Sequence, residues 1–157
     1  MRFIEKVFAA FYIIGIIMLV AHLRDARVFM FVGILGLVLL YLFFGFALYN
    51  GIGFRTLFKM ASYEDIPAAN IVIAIIAGIL HATLLFGYLF FQNHWPGGEL
   101  LLEAGVLSTI ALSAFIYIKD RKTSLAFYKR VSIRPITFVL FAAAQTLLGI
   151  IFVSFRH

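Results

Sequence analysis

The sequence predicts an all-α, polytopic membrane helix bundle of five transmembrane helices, a single integral membrane domain covering residues 1–157. Three observations predict it. Five apolar segments, near residues 7–23, 28–49, 71–91, 100–118 and 136–155, each approach the ~20 residues an α-helix needs to cross a bilayer core. Short polar connections separate them. Apolar residues make up 64% of the chain and charged residues 13%, with a mean hydropathy of +1.08; soluble domains hold about 45–50% and ~25%. In lipid, each spanning backbone amide must be bonded within its own helix, so helices are the element these segments dictate.

The first segment reads as a retained helix and not as a cleaved leader. Its apolar run is long for a signal peptide, Glu5 interrupts the basic start, and no Ala-x-Ala site precedes His22. With an N-terminus inside, Arg2, Lys6, Arg55, Lys59, Lys119, Arg121, Lys122, Lys129, Arg130 and Arg134 fall on the cytoplasmic side. Arg24, Arg27 and Arg156 fall outside, a division of 10 to 3 that fits the positive-inside rule. The expectation is a bacterial inner membrane protein with a cytoplasmic N-terminus and a periplasmic C-terminus. The net charge of +6 then marks the cytoplasmic membrane face, and no nucleic-acid partner is expected. Without cysteine there is no disulfide and no thiolate chemistry.

The connections differ by side. The outer ones, His22 to Arg27 and Asn93 to Glu99, are tight. The inner ones, 50–70 and 119–135, mix charges with Phe54, Leu57, Phe58, Leu125, Phe127 and Tyr128. Each inner one is either a short interfacial helix on the inner leaflet or a solvated loop. Pro67 and Pro135 stand just before the third and fifth segments, where proline suits helix entry.

Slid along itself by 72 residues, the chain superposes Gly15, His22 and Gly33 on Gly87, His94 and Gly105. The first two segments then overlie the third and fourth, which reads as a tandem repeat of a two-helix hairpin. Thr146-Leu147-Leu148 echoes Thr83-Leu84-Leu85, and His157 follows the fifth segment as His94 follows the third.

The most specific string is Asn93-His94-Trp95-Pro96-Gly97-Gly98-Glu99. Pro96 and the glycines suit a sharp turn, Trp95 a headgroup boundary, and Glu99 the positive end of the next helix dipole. A helix ending in His94-Trp95-Pro96-Gly97, with Gly105 eleven residues after the histidine, resembles the N-terminal membrane hairpin of the gliding-motility stator family of GldL, found in Bacteroidetes. The resemblance covers about residues 87–115. It implies a periplasmic turn and assembly, as an oligomer, around the transmembrane helices of a partner. Where that family carries its membrane glutamate this chain has Thr109, and a further apolar segment follows the hairpin instead of a long cytoplasmic domain. The motor chemistry of the family therefore does not carry over.

Three intramembrane polar residues are candidates for function. His81 lies about 20 Å of helix below His94. It acts either as a hydrogen-bonded clamp between helices or as a proton relay, and Gln145 on the fifth segment is its candidate partner. Glu103, one turn inside the fourth segment, fits an interfacial carboxylate near Arg24 or Arg27. Ala74, Gly78 and Ala82, then Gly105, Thr109 and Ser113, then Ala142, Thr146 and Gly149 form strips of small residues that let helices approach closely. The second segment, with Phe29, Phe31, Tyr41, Phe43, Phe44 and Phe46, is bulky nearly all round and is expected to face lipid or a partner. No phosphate loop, nucleophile triad or zinc-protease signature is present. His22, His94 and His157 lack metal-ligand spacing, and no cofactor, haem or metal is expected. The leading expectation is a non-catalytic membrane subunit packing against other membrane proteins or itself. The alternatives are a small proton-coupled transporter using His81 and Gln145 and, behind it, a metal- or haem-binding redox protein.

Overall fold

A computed structural model describes residues 1–119, 127 and 129–140 of the chain. Four long helices run in order: α1 (Arg2–Val20), α2 (Ala26–Asn50), α3 (Ala68–Gln92) and α4 (Gly98–Lys119). Each packs against the next, so the chain goes up and down through α1, α2, α3 and α4. All four are long and apolar enough to cross a membrane. At 1.5 Å per residue, the 25 residues of α2 or α3 reach about 37 Å, past a ~30 Å hydrocarbon core. Among the described residues, 129–140 are also helical. The expected fifth segment falls mostly outside the described residues, as do Ala142, Gln145, Thr146, Gly149 and His157.

Helix ends depart from the apolar boundaries in a consistent way. The first helix starts at Arg2, because Arg2, Glu5 and Lys6 are good helix formers and continue the turn below the apolar run. It stops at Val20, three residues before the apolar run does. His22 takes a left-handed conformation (φ 53°), its N–H donating to Leu19 O, while Leu23 N–H reaches back to Met18 O. That is the Schellman closure of a helix. Helix α3 ends identically: His94 (φ 54°) donates to Phe91 O and Trp95 N–H to Phe90 O. The Trp95 ring stands edge-on to Phe90 at 4.9 Å, the apolar contact that accompanies this motif. Helix α2 closes through Gly51 (φ 80°), with Ile52 N–H on Ala47 O.

Three expectations need correction. Helix α2 does not present a bulky surface to lipid on all sides. It is the central helix with thirteen buried residues, because Gly33, Gly36 and Gly45 open contact strips toward α1 and α3. Phe43 does point outward, but Phe29 is half-buried and stacks on Phe11 of α1 at 5.8 Å, and Tyr41 is buried. The first inner connection is not one interfacial helix. It folds as two single 3₁₀ turns, Phe54–Thr56 and Met60–Ser62, with Leu57 and Ile52 tucked beneath α2. Pro135 does not stand at a helix entry: it lies inside the helical run 129–140. Its missing N–H and ring disfavour the turn locally, and Val131 and Pro135 are themselves buried. By contrast Pro67 caps the start of α3 as expected.

Candidate functional site

The buried polar side chains gather toward the end of the bundle where α1 begins and α2 finishes. Helices α2 and α3 meet through Gly45 and Gly78, where a Cβ on Gly45 would stand 2.7 Å from Gly78 Cα. That approach lets side chains one turn away on either helix interlock. Tyr49, fully buried, shares a hydrogen bond between its hydroxyl and Nδ1 of His81, which is only 3% exposed. The imidazole stands roughly edge-on to both tyrosines, 5.5 Å from Tyr49 and 5.9 Å from Tyr41, and those two rings stack at 6.1 Å.

Tyr41 extends the network to α1 by donating its hydroxyl to Glu5 Oε1 at 2.6 Å. The same carboxylate receives Arg134 in a two-pronged pair, Nε to Oε1 at 2.6 Å and Nη2 to Oε2 at 3.2 Å. Two parallel N–H···O bonds are the strongest form such a pair takes. The Arg134 guanidinium also lies 5.1 Å over the Tyr49 ring, within cation–π range. Burial disfavours its charge, but the Glu5 hydrogen bonds and charge, with Tyr41 and Tyr49, more than offset this. The Arg134 pKa is held above the usual arginine value. Arg130 adds a bond to Tyr49 O at 3.3 Å. One continuous polar chain thus joins α1, α2, α3 and the 129–140 helix. A second, smaller clamp joins α1 to α3: Tyr12 donates to Tyr88 at 3.3 Å, and Gln92 donates to the same oxygen at 2.9 Å.

Two buried polar atoms among the described residues lack a hydrogen-bond partner: His81 Nε2 and Thr109 Oγ1. Helices α3 and α4 run antiparallel with Leu84 against Gly105, where a Cβ would stand 2.5 Å from Leu84 Cα. One turn further along each helix, His81 and Thr109 therefore sit at a shared level.

The structure spreads the expected site residues unequally. Ala74, Gly78 and Ala82 line the α2 contact and are buried; Gly105 and Thr109 are buried against α3, and Ser113 is half-buried. Glu103 is exposed and has no ion pair among the described residues. His94, Trp95, Pro96 and Gly97 make the second turn, and Glu99 occupies the first turn of α4. Between the two turns lies an open cleft of about 300 Å³, lined by Arg27, Phe31, Gln92 and His94 among others. No group of three metal-ligating side chains occurs among the described residues. His81 shares its hydrogen bond with Tyr49, a residue the sequence reading passed over, while Gln145 lies outside the described residues. Glu5, Tyr41 and Arg134 were missed too. A usable signal existed for the tyrosines, which need polar partners inside an apolar segment; Glu5, between Arg2 and Lys6 and before the apolar run, gave none.

The described fold and its site define a class and no more: an all-helical chain with four apolar helices of membrane-spanning length, tied together by buried polar clamps. Compared with known proteins, the chain matches no family model, no curated protein and no solved structure.

Proposed function

We propose that this chain is a non-catalytic integral membrane subunit that packs against another integral protein or against further copies of itself. The observation that carries the reading is how its buried polar groups are used. Glu5 is held by Tyr41 and Arg134, Tyr49 by His81, and Tyr12 by Tyr88, so each joins two helices. Such bonds fix helix positions inside lipid, where little hydrophobic force acts between helices. Helix α4 meanwhile turns Leu100, Leu107, Ile110, Phe115 and Ile118 outward, a surface suited to lipid or another apolar helix. The proposed setting is a bacterial inner membrane, five spans and a cytoplasmic N-terminus, supported by the basic-residue count.

A tandem two-helix unit belongs to the same proposal. In its favour, both turns use matched left-handed residues 72 positions apart, His22 with His94 and Asp25 with Gly97. The backbone bonds correspond as well, Leu23 to Met18 with Trp95 to Phe90 and Phe29 to Asp25 with Leu101 to Gly97. Gly33 meets Tyr12 as Gly105 meets Leu84. The hairpin's resemblance to the GldL family favours a subunit role, while Thr109 at the position of its glutamate leaves the motor chemistry aside. The test is purification of the tagged chain in mild detergent at native expression, with cross-linking and mass spectrometry. A stoichiometric membrane partner or a discrete homo-oligomer is expected, and a monodisperse lone chain with no cross-links would refute the reading.

One observation favours a second reading, a proton-coupled carrier: His81 Nε2 and Thr109 Oγ1 are buried without partners at one level. On this reading proteoliposomes containing the protein dissipate an imposed pH gradient, and His81→Ala abolishes it. Wild-type vesicles as tight as empty ones would end it.

A further inference from the structure

Helix α2 ends on Gly51, whose φ of 80° is a conformation that residues with side chains rarely adopt. The space a Cβ would occupy there is taken by one guanidinium and bordered by a second. That atom would lie 2.7 Å from Arg130 Nη1 and 3.9 Å from Arg2 Nη2. Two guanidiniums far apart in the sequence, Arg2 and Arg130, therefore converge on one backbone position. The exposed carbonyls of the helix end partly explain this, since they carry the negative end of its dipole and Tyr49 O accepts one bond from Arg130. They do not balance it. The nearby carboxylate, Glu5, is committed to Arg134, and neither Arg2 nor Arg130 meets a carboxylate among the described residues. Burial lowers the Arg130 pKa, and the charges of Arg2 and Arg134 lower it further.

We infer that Arg2 and Arg130 form a binding site for a phosphate group at the C-terminal end of α2, and that its natural occupant is an anionic lipid headgroup. Guanidinium forks match phosphate oxygens in geometry and charge, and an anion between the two relieves their mutual repulsion. The surroundings favour lipid over soluble phosphate as the source. The site lies at the end of helices long enough to span a membrane, where headgroups lie. At this same end Phe3, Phe58 and Met60 are 78%, 89% and 85% exposed, as side chains seated in the headgroup boundary are. Basic clusters between helices at that boundary recognise anionic lipids. This inference does not depend on the subunit reading, only on the helices lying in a bilayer.

The test measures binding to the delipidated full chain in detergent, with phosphatidylglycerol, phosphatidylcholine and inorganic phosphate as probes. Wild type is expected to prefer phosphatidylglycerol over phosphatidylcholine by about tenfold or more, because both carry the phosphodiester but the choline cation of the second is repelled by the two guanidiniums. Arg2→Gln, an exposed substitution that spares the fold, weakens that preference, and the Arg2→Gln/Arg130→Gln double variant removes it. Lys6→Gln, an exposed basic residue of α1, leaves it intact. Inorganic phosphate that binds while phosphatidylglycerol shows no preference would overturn the lipid assignment. Equal binding of both lipids would overturn the assignment to an anionic lipid, and binding unchanged in the Arg2→Gln/Arg130→Gln variant, or equal weakening by Lys6→Gln, would overturn the site itself.

Discussion

Glu5→Gln is expected to destabilise the bundle by roughly 2–4 kcal/mol, because removing one member of a largely buried ion pair strands the other charge. The two side chains are 18% and 17% exposed, so water relieves part of the penalty and the value falls below that of a fully enclosed pair. Glutamine keeps the size of Glu5 and an oxygen that can accept from the Tyr41 hydroxyl. The loss therefore reads out the charge and its two-pronged grip on Arg134, not the packing. Arg134→Gln should cost a similar amount and also removes the cation over Tyr49. The double variant Glu5→Gln/Arg134→Gln should cost less than the two single changes together, since neither side then leaves an unpaired charge. Thermal unfolding in detergent, followed by circular dichroism, measures all three. Strict additivity would show that the pair does not act as a unit, and an unchanged Glu5→Gln would show that it does not hold α1 to the 129–140 helix.

That pair also marks where sequence reasoning stopped. The spans themselves were legible, because a run of about 20 apolar residues has few alternatives to a helix in lipid. Which face of a span is buried was not. Ile34 and Leu48 are fully enclosed while Val28, Leu39 and Phe43 on the same helix are exposed, and nothing in apolarity separates them when lipid is as apolar as a protein interior. The aromatic load of α2 suggested an outward face; the small residues Gly33, Gly36 and Gly45 were the better guide. Glu5 and Arg134 stand 129 residues apart; the basic-residue count places Arg134 on the cytoplasmic side and gives Glu5 no partner. Tyr41 and Tyr49 passed as ordinary apolar residues, so His81 was left looking toward Gln145. His22 and His94 raised a metal question, yet both are the left-handed residues that close α1 and α3.

Gly78→Leu is expected to have the larger effect of the two, costing more than about 3 kcal/mol or preventing the fold from forming. At this glycine a Cβ would stand 2.5 Å from Tyr41 O and 3.2 Å from Gly45 Cα, both backbone atoms that no rotamer change can move. Alanine alone forces the two helices apart, at about 1–3 kcal/mol for an overpacked contact, and leucine forces them further. Separation does more than lose dispersion contacts between α2 and α3. Tyr49 and His81 bond across this same interface, so widening it strands two buried polar groups, each worth about 1–3 kcal/mol when unsatisfied. Gly53 supplies the control: it lies beyond α2, its φ is negative, and a Cβ there meets only Thr56 Oγ1 at 3.6 Å. Gly53→Ala should therefore stay within about 0.5 kcal/mol of wild type. Resistance of each variant to unfolding by added sodium dodecyl sulfate ranks them as Gly53→Ala near wild type, Gly78→Ala below it and Gly78→Leu lowest. If Gly78→Leu unfolds with wild type, the close crossing of α2 and α3 is not what holds Tyr49 against His81, and the polar chain must be positioned by its Glu5–Arg134 end instead.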